Sequence, residues 1–504
     1  MRLPARWPLS IAGLWVAAPG CGLNTFGVTD SPAGAPSTTV DSLTVGSATG
    51  ADLTGPPTGS ASSEASSSVA ATTASTSGTS GATATTAEAS ATTGVSCMPG
   101  VLDCPCLPLD ACYAPWTCIN RMCAEGSGTT SESTTTSGST TTGEESTEAL
   151  NPMCGDTIPV PGELCFGLAM PLGMGAGPVA VAVVDLNKDG RQDIVSVNSA
   201  SGNLTIRLGK GDGFFNALAA LPTGMTPYAV ATFDINNDKA PDLVTCNYGS
   251  ANLSLYLNNG AGMMIAQPTA AAGMNPIAIA AANVNGDAFV DVFVAHWGGA
   301  NVGVFLGNGI SYPGFTAVGA GDNPSSVALG DVNGDGKTDL ASANNKASNV
   351  SVSLGNGLGS FGPAGFYDVG AHGSTLALID ITGDTKLDAL VTAPEKDAVF
   401  VLTGNGLGNL AAAIPHPSGP DPVGLAVIDL TGDGDLDVVV TNRAMDMVSV
   451  LRGDGMGGLG APESFMVGDM PLAVAVADLN EDGVPDLVTA NNGDSTVSVL
   501  LSDP

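Results

Sequence analysis

Basic residues are scarce in this sequence of 504 residues: 14 Lys and Arg stand against 48 Asp and Glu, a formal net charge of −34. Such an acidic chain repels phosphate backbones and anionic lipid, so we exclude nucleic acid and anionic membranes as partners. Histidine is also scarce, with three residues and none at metal-ligand spacing. The charge raises the question of what neutralises so many carboxylates in one fold.

Apolar runs long enough to span a membrane are absent. Residues 1–21 carry two arginines, an apolar run from Trp7 to Ala18 and a Pro-Gly pair before Cys21. The run is too short for a span and is typical of a secretory signal. Its end resembles a bacterial lipoprotein signal, which implies that Cys21 is lipidated; plain secretion is the alternative. We expect an exported outer-membrane or cell-surface lipoprotein, attached to a membrane only through its lipid.

Large apolar residues are almost missing from 22–96 and 124–153, which are mostly Ser, Thr, Gly and Ala. Such segments cannot bury enough surface to offset chain entropy, so we predict disordered linkers. As a coil, the first linker would reach roughly 45 to 50 Å. That length would hold a folded head clear of a membrane.

Ten cysteines indicate an oxidising compartment. Six lie within 97–123, where we predict a mini-module with up to three disulfides of undetermined pairing. A zinc site is the alternative, which the spacing and the lack of nearby His disfavour. Segment 154–165, "CGDTIPVPGELC", resembles a Cys-rich motif of secreted Gram-negative proteins, which implies a Cys154–Cys165 bridge. We predict that Cys246, in a strand pattern, is a buried inert thiol.

A nine-residue acidic motif organises the rest of the chain. Its first copy is "DLNKDGRQD", Asp185 to Asp193, and seven copies follow one another at intervals of 49 residues, once 48. One apolar run enters each motif, a second leaves it, and two more flank a Gly-rich turn such as "GNGLGSF". Four short strands in a period of about 40 to 50 residues predict a propeller blade. Seven copies predict seven blades.

The fold class is therefore an all-β, seven-bladed propeller of four-stranded blades over residues 164–504. The last copy ends after its third strand, while "CFGLAMPLGMGAGP" before the first copy has the pattern of a lone fourth strand. Pairing the two would close the ring and remove an open sheet edge.

The repeats resemble the FG-GAP, or VCBS-type, family, the propeller also found at the head of integrin alpha chains. The seven acidic loops carry the resemblance, together with "FGPAG" at Phe361, "LGAP" at Leu459 and "CFG" at Phe166. It covers about two thirds of the chain.

Each motif has the composition of a Ca²⁺ site in a hairpin loop. Oxygen-bearing side chains at positions 1, 3, 5 and 9 and a carbonyl at position 7 can surround one hard cation, and glycine at position 6 permits a sharp turn. An EF-hand is excluded because position 12, from Ser196 to Thr489, is never Glu. The predicted metal ligands, loop by loop, are Asp185, Asn187, Asp189, Arg191 and Asp193; Asp234, Asn236, Asp238 and Asp242; Asn283, Asn285, Asp287 and Asp291; Asp331, Asn333, Asp335, Lys337 and Asp339; Asp380, Thr382, Asp384 and Asp388; Asp429, Thr431, Asp433, Asp435 and Asp437; and Asp478, Asn480, Asp482, Val484 and Asp486.

The loops are not equal. Loops one, four, six and seven keep Asp at positions 1, 5 and 9 and Gly at position 6, and we expect the fullest occupancy there, although Thr431 is a poorer ligand than Asn. Loops two and five have Lys239 and Thr385 at the turn, and loop three has Asn283 and Ala288 at positions 1 and 6. Metal-free Asx turns are the alternative, against which Asp at position 9 in all seven copies argues. Seven structural Ca²⁺ ions would change the formal charge from −34 to −20.

A second candidate site lies where the second strands end. Amides and one His-Trp pair there could bind a sugar or a peptide, although Asn also simply ends strands well. These residues are Asn198, Asn247, His296, Trp297, Asn344, Asn442 and Asn491. No nucleophile motif is present, so we predict no enzyme. We expect a monomeric binding or adhesion module for a protein or carbohydrate outside the cell; a secreted lectin-like protein and a polysaccharide lyase are the alternatives.

Overall fold

The computed structural model describes residues 164–502 and three short upstream strands, β1 (Cys104–Pro105), β2 (Trp116–Ile119) and β3 (Met122–Glu125). These strands form a small antiparallel sheet in the order β1-β3-β2, which overlaps the predicted mini-module and runs two residues past its end. The predictions for the signal with Cys21 and for both linkers lie outside the described residues. Cys165 is engaged in a disulfide, but Cys154 is not described, so their pairing stays a prediction.

Seven antiparallel sheets, one for each acidic motif, make up residues 164–502. The first strands of blades one to seven are β5 (Pro178–Val184), β10 (Pro227–Phe233), β15 (Pro276–Ala282), β19 (Pro324–Gly330), β23 (Leu376–Ile379), β27 (Pro422–Ile428) and β31 (Pro471–Ala477). The second strands are β6 (Asp193–Asn198), β11 (Asp242–Asn247), β16 (Asp291–His296), β20 (Asp339–Asn344), β24 (Asp388–Ala393), β28 (Asp437–Asn442) and β32 (Asp486–Asn491).

The outer half of each blade is built from the third and fourth strands. The third strands are β7 (Asn203–Gly209), β12 (Asn252–Asn258), β17 (Asn301–Phe305), β21 (Asn349–Ser353), β25 (Ala398–Leu402), β29 (Met447–Leu451) and β33 (Thr496–Leu500). The fourth strands of blades one to six are β8 (Phe215–Ala217), β13 (Met264–Ala266), β18 (Thr316–Gly319), β22 (Gly365–Asp368), β26 (Ile414–Pro417) and β30 (Glu463–Met466). In blades one and two a second short strand, β9 (Leu221–Pro222) or β14 (Ala270–Ala271), also pairs with the third strand.

The first strands line the centre of the ring, where each packs against the first strand of the next blade and β31 packs against β5. They consist largely of Ala and branched aliphatic residues and are almost wholly buried. Six of them begin with Pro, which is tolerated at the first residue of a strand because it has no N–H to donate. Blade five has Gly373 at that position, and its first strand is shorter.

Ring closure follows the prediction. Strand β4 (Met170–Gly173) comes from the start of the propeller and pairs with β33 in blade seven. Phe166 forms a further isolated bridge with Ser502. The all-β, seven-bladed architecture is thus confirmed. In the described part of the chain, no helix has the length and apolar character needed to cross a membrane.

Candidate metal centre

Every acidic motif connects the first and second strands of its blade, so all seven loops lie on one face of the propeller, which we call the loop face. The connections from third to fourth strands lie on the same face. The connections from second to third strands, and from one blade to the next, lie on the opposite face.

Six of the loops share one backbone conformation, with positive φ at positions 4 and 6. Gly190 has φ of 87° at position 6 of loop one. Lys239 and Thr385 adopt φ of 65° and 68° at the same position of loops two and five. Loops two and five therefore keep the turn although they lack the glycine that favours it.

The carboxylate at position 1 organises this turn. In loop one, the backbone N–H groups of Asp189 and Gly190 donate to Asp185 Oδ1 and Oδ2, at 3.2 and 2.8 Å. In loops one, two, three and seven the side-chain amide of the position 3 Asn donates to the position 5 carboxylate, as Asn187 does to Asp189 at 3.1 Å. In loops four and five a lysine takes that role, Lys337 on Asp335 and Lys386 on Asp384.

The aspartate at position 9 has a role that the sequence did not reveal. Asp193 is fully buried, and its Oδ2 and Oδ1 accept hydrogen bonds from Leu186 N at 2.9 Å and Gly209 N at 2.8 Å. The carboxylate thus joins the loop to the end of the third strand. The same two contacts recur in every blade, made by Asp242, Asp291, Asp339, Asp388, Asp437 and Asp486. The recurrence of Asp at position 9 is therefore explained without a metal and does not count against metal-free turns.

Burial changes the proton affinity of these aspartates. It raises the pKa of Asp193, Asp242, Asp291 and Asp339 to about 6 and that of Asp486 to about 7, while the backbone N–H donors oppose the shift. Burial also raises the pKa of Asp388 and Asp437. Among the acidic groups of the loop face, the position 9 carboxyl groups are therefore the ones whose ionised form destabilises the fold most.

Loop three departs from the others. The amide of Asn283 at position 1 donates to the carbonyl of Asp287, and Ala288 at position 6 has no positive φ. Asn283 is also exposed, whereas the position 1 aspartates are half-buried. A donor therefore occupies a position that offers only acceptors in the other loops.

Loop six differs from the other loops because two of its oxygen atoms lack hydrogen-bond partners. Asp429 Oδ1 and Thr431 Oγ1 are buried and have no hydrogen-bond partner. The Thr431 hydroxyl lies near enough to Asp437 to oppose the rise of that carboxyl's pKa, but outside hydrogen-bonding geometry. Two oxygen atoms at ligand positions 1 and 3 are thus left unsatisfied.

The donor chemistry of the loops fits a hard cation such as Ca²⁺. The side-chain donors are oxygen atoms, and a carboxylate oxygen that accepts one N–H keeps a second lone pair. Nowhere within residues 164–502 do three or more His, Cys, Asp or Glu side chains already stand at metal-binding distance. Binding therefore requires the loop side chains to converge on the ion.

The prediction that a ring of amides on the opposite face binds a ligand is wrong. Asn198, Asn247, Asn344, Asn442 and Asn491 are at most 1% exposed. Their amides donate to residues of the adjacent third strand, as Asn198 does to Asn203 at 2.8 Å. His296 is also buried, with its ring nitrogens on Asn301 and the Ala272 carbonyl. These side chains hold the turn between the second and third strands and cannot reach a ligand; Trp297, half-buried at the surface, is the exception.

Fold and loops together define a seven-bladed propeller with acidic hairpin loops on one face. The family model of the FG-GAP-like repeat matches residues 185–245, 234–294, 283–342, 331–391, 380–440 and 429–489. The chain belongs to this FG-GAP-like repeat family. A comparison with curated proteins found no match.

Solved structures resemble this chain at low sequence identity. A crystal structure of BBS1N in complex with ARL6DN is 15% identical, covers 67% of this chain and 97% of its own, and has a TM-score of 0.49. Virginiamycin B lyase from Staphylococcus aureus is 11% identical over 66% and 99% of the two chains, with a TM-score of 0.46. Periplasmic gluconolactonase PpgL from Pseudomonas aeruginosa is 14% identical over 62% and 99%, also at 0.46. These likenesses carry no argument about function.

Proposed function

We propose that this chain is an exported, calcium-binding propeller that works as a binding or adhesion module outside the cell. The observation that carries the proposal is an uncharged patch on the face opposite the acidic loops. It consists of Met225, Tyr248, Met274 and Trp297, and we call it the aromatic-methionine patch.

The patch is built by equivalent turns of blades two and three. Tyr248 N donates to the Thr226 carbonyl, and Trp297 N donates to the Asn275 carbonyl, both at 2.9 Å. Each aromatic residue is thereby held beside a methionine, and Met225 and Met274 are 66% and 80% exposed. The four turns, residues 223–226, 248–251, 272–275 and 297–300, contain no charged residue.

The same turns in later blades have a different chemistry. Ion pairs occupy them in blades four and six, Lys346–Asp322 at 3.6 Å and Arg443–Asp421 at 2.7 Å, and in blade five His372 Nδ1 lies 3.3 Å from Glu395 Oε2. Grouped exposed apolar side chains mark contact with a partner more often than single ones, which are normal on protein surfaces. An uncharged partner would fit the patch. Because methionine is flexible, methionine beside an aromatic ring is well adapted to contact an apolar surface of another protein.

A lectin-like function is the second candidate, because Trp297 could stack on a sugar ring beside the Asn275 turn. Catalysis has less support. His296 of blade three is buried; in blade five, His372 contacts Glu395 and His416 is half-buried. The position 9 carboxyl groups are engaged with backbone N–H groups, which leaves no free acid-base pair among them.

Arrays of glycans and of extracellular proteins test the proposal. The full chain is expected to bind in millimolar Ca²⁺ without product release. The variant Met225→Ser with Met274→Ser should lose affinity by roughly tenfold or more, as expected when exposed contact residues are truncated. The matched control, Met263→Ser with Met456→Ser, changes methionines that are 59% and 78% exposed on the loop face. Equal binding by both variants would contradict the assignment of the patch.

A further inference from the structure

Methionines gather around one turn of blade six, on the face opposite the acidic loops. Met445 and Met447 stand on either side of Asp446, between β28 and β29. Met466 of β30 lies directly across from Met447 of β29. Met470, in the connection to blade seven, donates its backbone N–H to Asp446 Oδ1 at 2.9 Å. Four of the 15 methionines of the chain thus border one aspartate, and we call them the methionine cluster.

Two of these side chains face each other at close range. Val467 N donates to the Asp446 carbonyl at 2.9 Å. Because hydrogen bonding alternates along an antiparallel pair, the next pair, Met447 and Met466, is a non-hydrogen-bonded one. The Cβ atoms of such a pair lie about 4.5 to 5.5 Å apart on the same face of the sheet. The two thioethers therefore extend side by side.

The cluster is open to solvent and is not part of the core. Met445, Met466 and Met470 are 48%, 63% and 41% exposed, and Met447 is half-buried. Methionine sulfur here is therefore accessible to an ion from outside the protein.

No other blade within residues 164–502 has a methionine pair in this place. The residues equivalent to Met447 include four that accept a hydrogen bond from the amide ending the second strand: Asn203, Asn252, Asn349 and Thr496. Methionine is a weak acceptor and cannot replace them. The residues across from this position in the other blades are Pro222, Ala271, Gly319, Asp368, Pro417 and Gly173. Blade six therefore has two sulfur atoms where the repeat otherwise has a hydrogen bond or a small side chain.

The surroundings of the cluster favour a cation. Asp446 lies within it, and Asp469 precedes Met470 and donates its backbone N–H to Asp494 Oδ2 at 3.1 Å. The basic residue of the same turn, Arg443, forms an ion pair with Asp421 at 2.7 Å. Carboxylates near a site raise the local concentration of cations.

The donor type selects among cations. Thioether sulfur is a soft ligand that prefers Cu⁺, whereas Ca²⁺ takes oxygen. A thioether has no proton to lose before it binds a metal, and unlike a thiol it forms no disulfide in an oxidising compartment.

We propose that the methionine cluster binds one Cu⁺ ion, through the thioethers of Met447, Met466 and Met470 with Met445 as the fourth ligand. The ion binds as Cu⁺, so no redox step is involved. This site goes beyond the proposed function, because it lies on the face opposite the acidic loops and takes a soft monovalent ion.

Anaerobic titration of the full chain with Cu⁺ against a chromogenic Cu⁺ chelator tests the proposal, with Ag⁺ as a redox-inert second probe. One tightly bound ion at the cluster is expected. Met447→Leu with Met466→Leu keeps the apolar volume and removes two sulfur atoms. It should weaken that step by roughly tenfold or more, since loss of a supporting group alone has effects of this size at metal sites. The cysteines are the same in both chains, so the difference reports the cluster.

The matched control, Met263→Leu with Met456→Leu, removes two thioethers that are 59% and 78% exposed on the loop face, and it should leave the affinity unchanged. Circular dichroism checks that each variant is folded, and Met470→Leu, at an exposed residue outside the strands, is a second variant with the same expected loss.

X-ray absorption at the copper edge gives a readout on the unaltered chain, where a shell of sulfur neighbours is expected. A shell of nitrogen and oxygen, a tight step that survives in the cluster variants, or an equal loss in the control would overturn the proposal. None of these outcomes bears on calcium, because the acidic loops are unchanged in the cluster variants.

Discussion

At the scale of single residues, the aspartate at position 9 decides how an acidic loop is held. Asp339 accepts from Val332 N at 3.0 Å and from Gly355 N at 2.7 Å. In Asp339→Asn the amide must turn its NH₂ group toward one of these donors. We expect a loss of about 1–3 kcal/mol in the free energy of unfolding, measured by urea denaturation in chelator.

The control for this prediction is Asp335→Asn in the same loop. Asp335 is exposed, and its ion pair with Lys337 lies at the surface, so its loss should cost no more than about 1 kcal/mol. If both substitutions have the same effect in chelator, the position 9 aspartates are not structural.

The same residues predict a dependence on pH. Burial raises the folded-state pKa of five of them to about 6 or about 7, above the value of an unfolded aspartate. The folded state therefore takes up protons first as the pH falls. In chelator, the melting temperature should rise as the pH is lowered from 7.5 toward 5. In saturating Ca²⁺ it should fall over the same range, because protons compete with the ion for carboxylates. Parallel curves in the two conditions would show that the ion does not engage these groups.

Sequence reasoning identified the residue types of the loops but not their surroundings. Spacing shows that Asp193 recurs, whereas its burial depends on Gly209, 16 residues later in another strand. The glycine that stands 16 residues after the position 9 aspartate in five of the seven blades was the available signal. The asparagines failed in the same way: Asn198 ends a strand, as the pattern indicated, but its neighbours Asn203 and Thr205 enclose the amide.

At the scale of the element, the end of the third strand is fixed by close approach of the backbone. A Cβ atom on Gly404 would lie 2.0 Å from the Leu387 carbonyl oxygen. Gly404→Ala should therefore destabilise the protein by about 1–3 kcal/mol in thermal or urea unfolding, because the blade must shift to admit a methyl group.

A glycine nearby supplies the control. A Cβ on Gly362 would meet its nearest atom at 3.6 Å, and the equivalent residue of blade five is already Ala411. Gly362→Ala should be neutral within about 0.5 kcal/mol. A similar loss for both changes would show that close approach is not what excludes a side chain at Gly404.

The inner strands were predictable because their apolar runs are flanked by fixed motifs. The outer strands were less predictable. In blades one and two we expected a single fourth strand, but the structure has two short strands there, such as β8 and β9. Sequence signals are weaker at the rim, since fourth-strand residues such as Asn216 are exposed and little selects them for burial.

At the scale of the whole molecule, one strand closes the ring. Leu172 and Met170 of β4 pair with Val497 and Val499 of β33, the last complete strand. Removing residues 166–173 would leave the edge of β33 unpaired. We expect the shortened chain to melt at a lower temperature and to self-associate in analytical ultracentrifugation. Deletion of an eight-residue stretch of the Ser/Thr-rich linker should change neither property, and equal behaviour of the two deletions would contradict the closure role.

The distribution of charge over the whole propeller bears on the proposed function. Acidic loops are gathered on one face, and the uncharged aromatic-methionine patch lies on the other, so the proposed calcium sites and the proposed partner site are on separate surfaces. The repeat period made this architecture predictable, whereas the patch depends on turn residues that differ from blade to blade and was not predicted.

The most direct test of calcium binding by the loops is the melting temperature of the full chain in 5 mM Ca²⁺ and in chelator, with bound calcium counted by atomic absorption. For the affinities of extracellular modules, each occupied site should add about 1–2 kcal/mol, which predicts a clear rise in the melting temperature with at least one ion bound per chain. An unchanged melting temperature with no bound calcium would contradict the account.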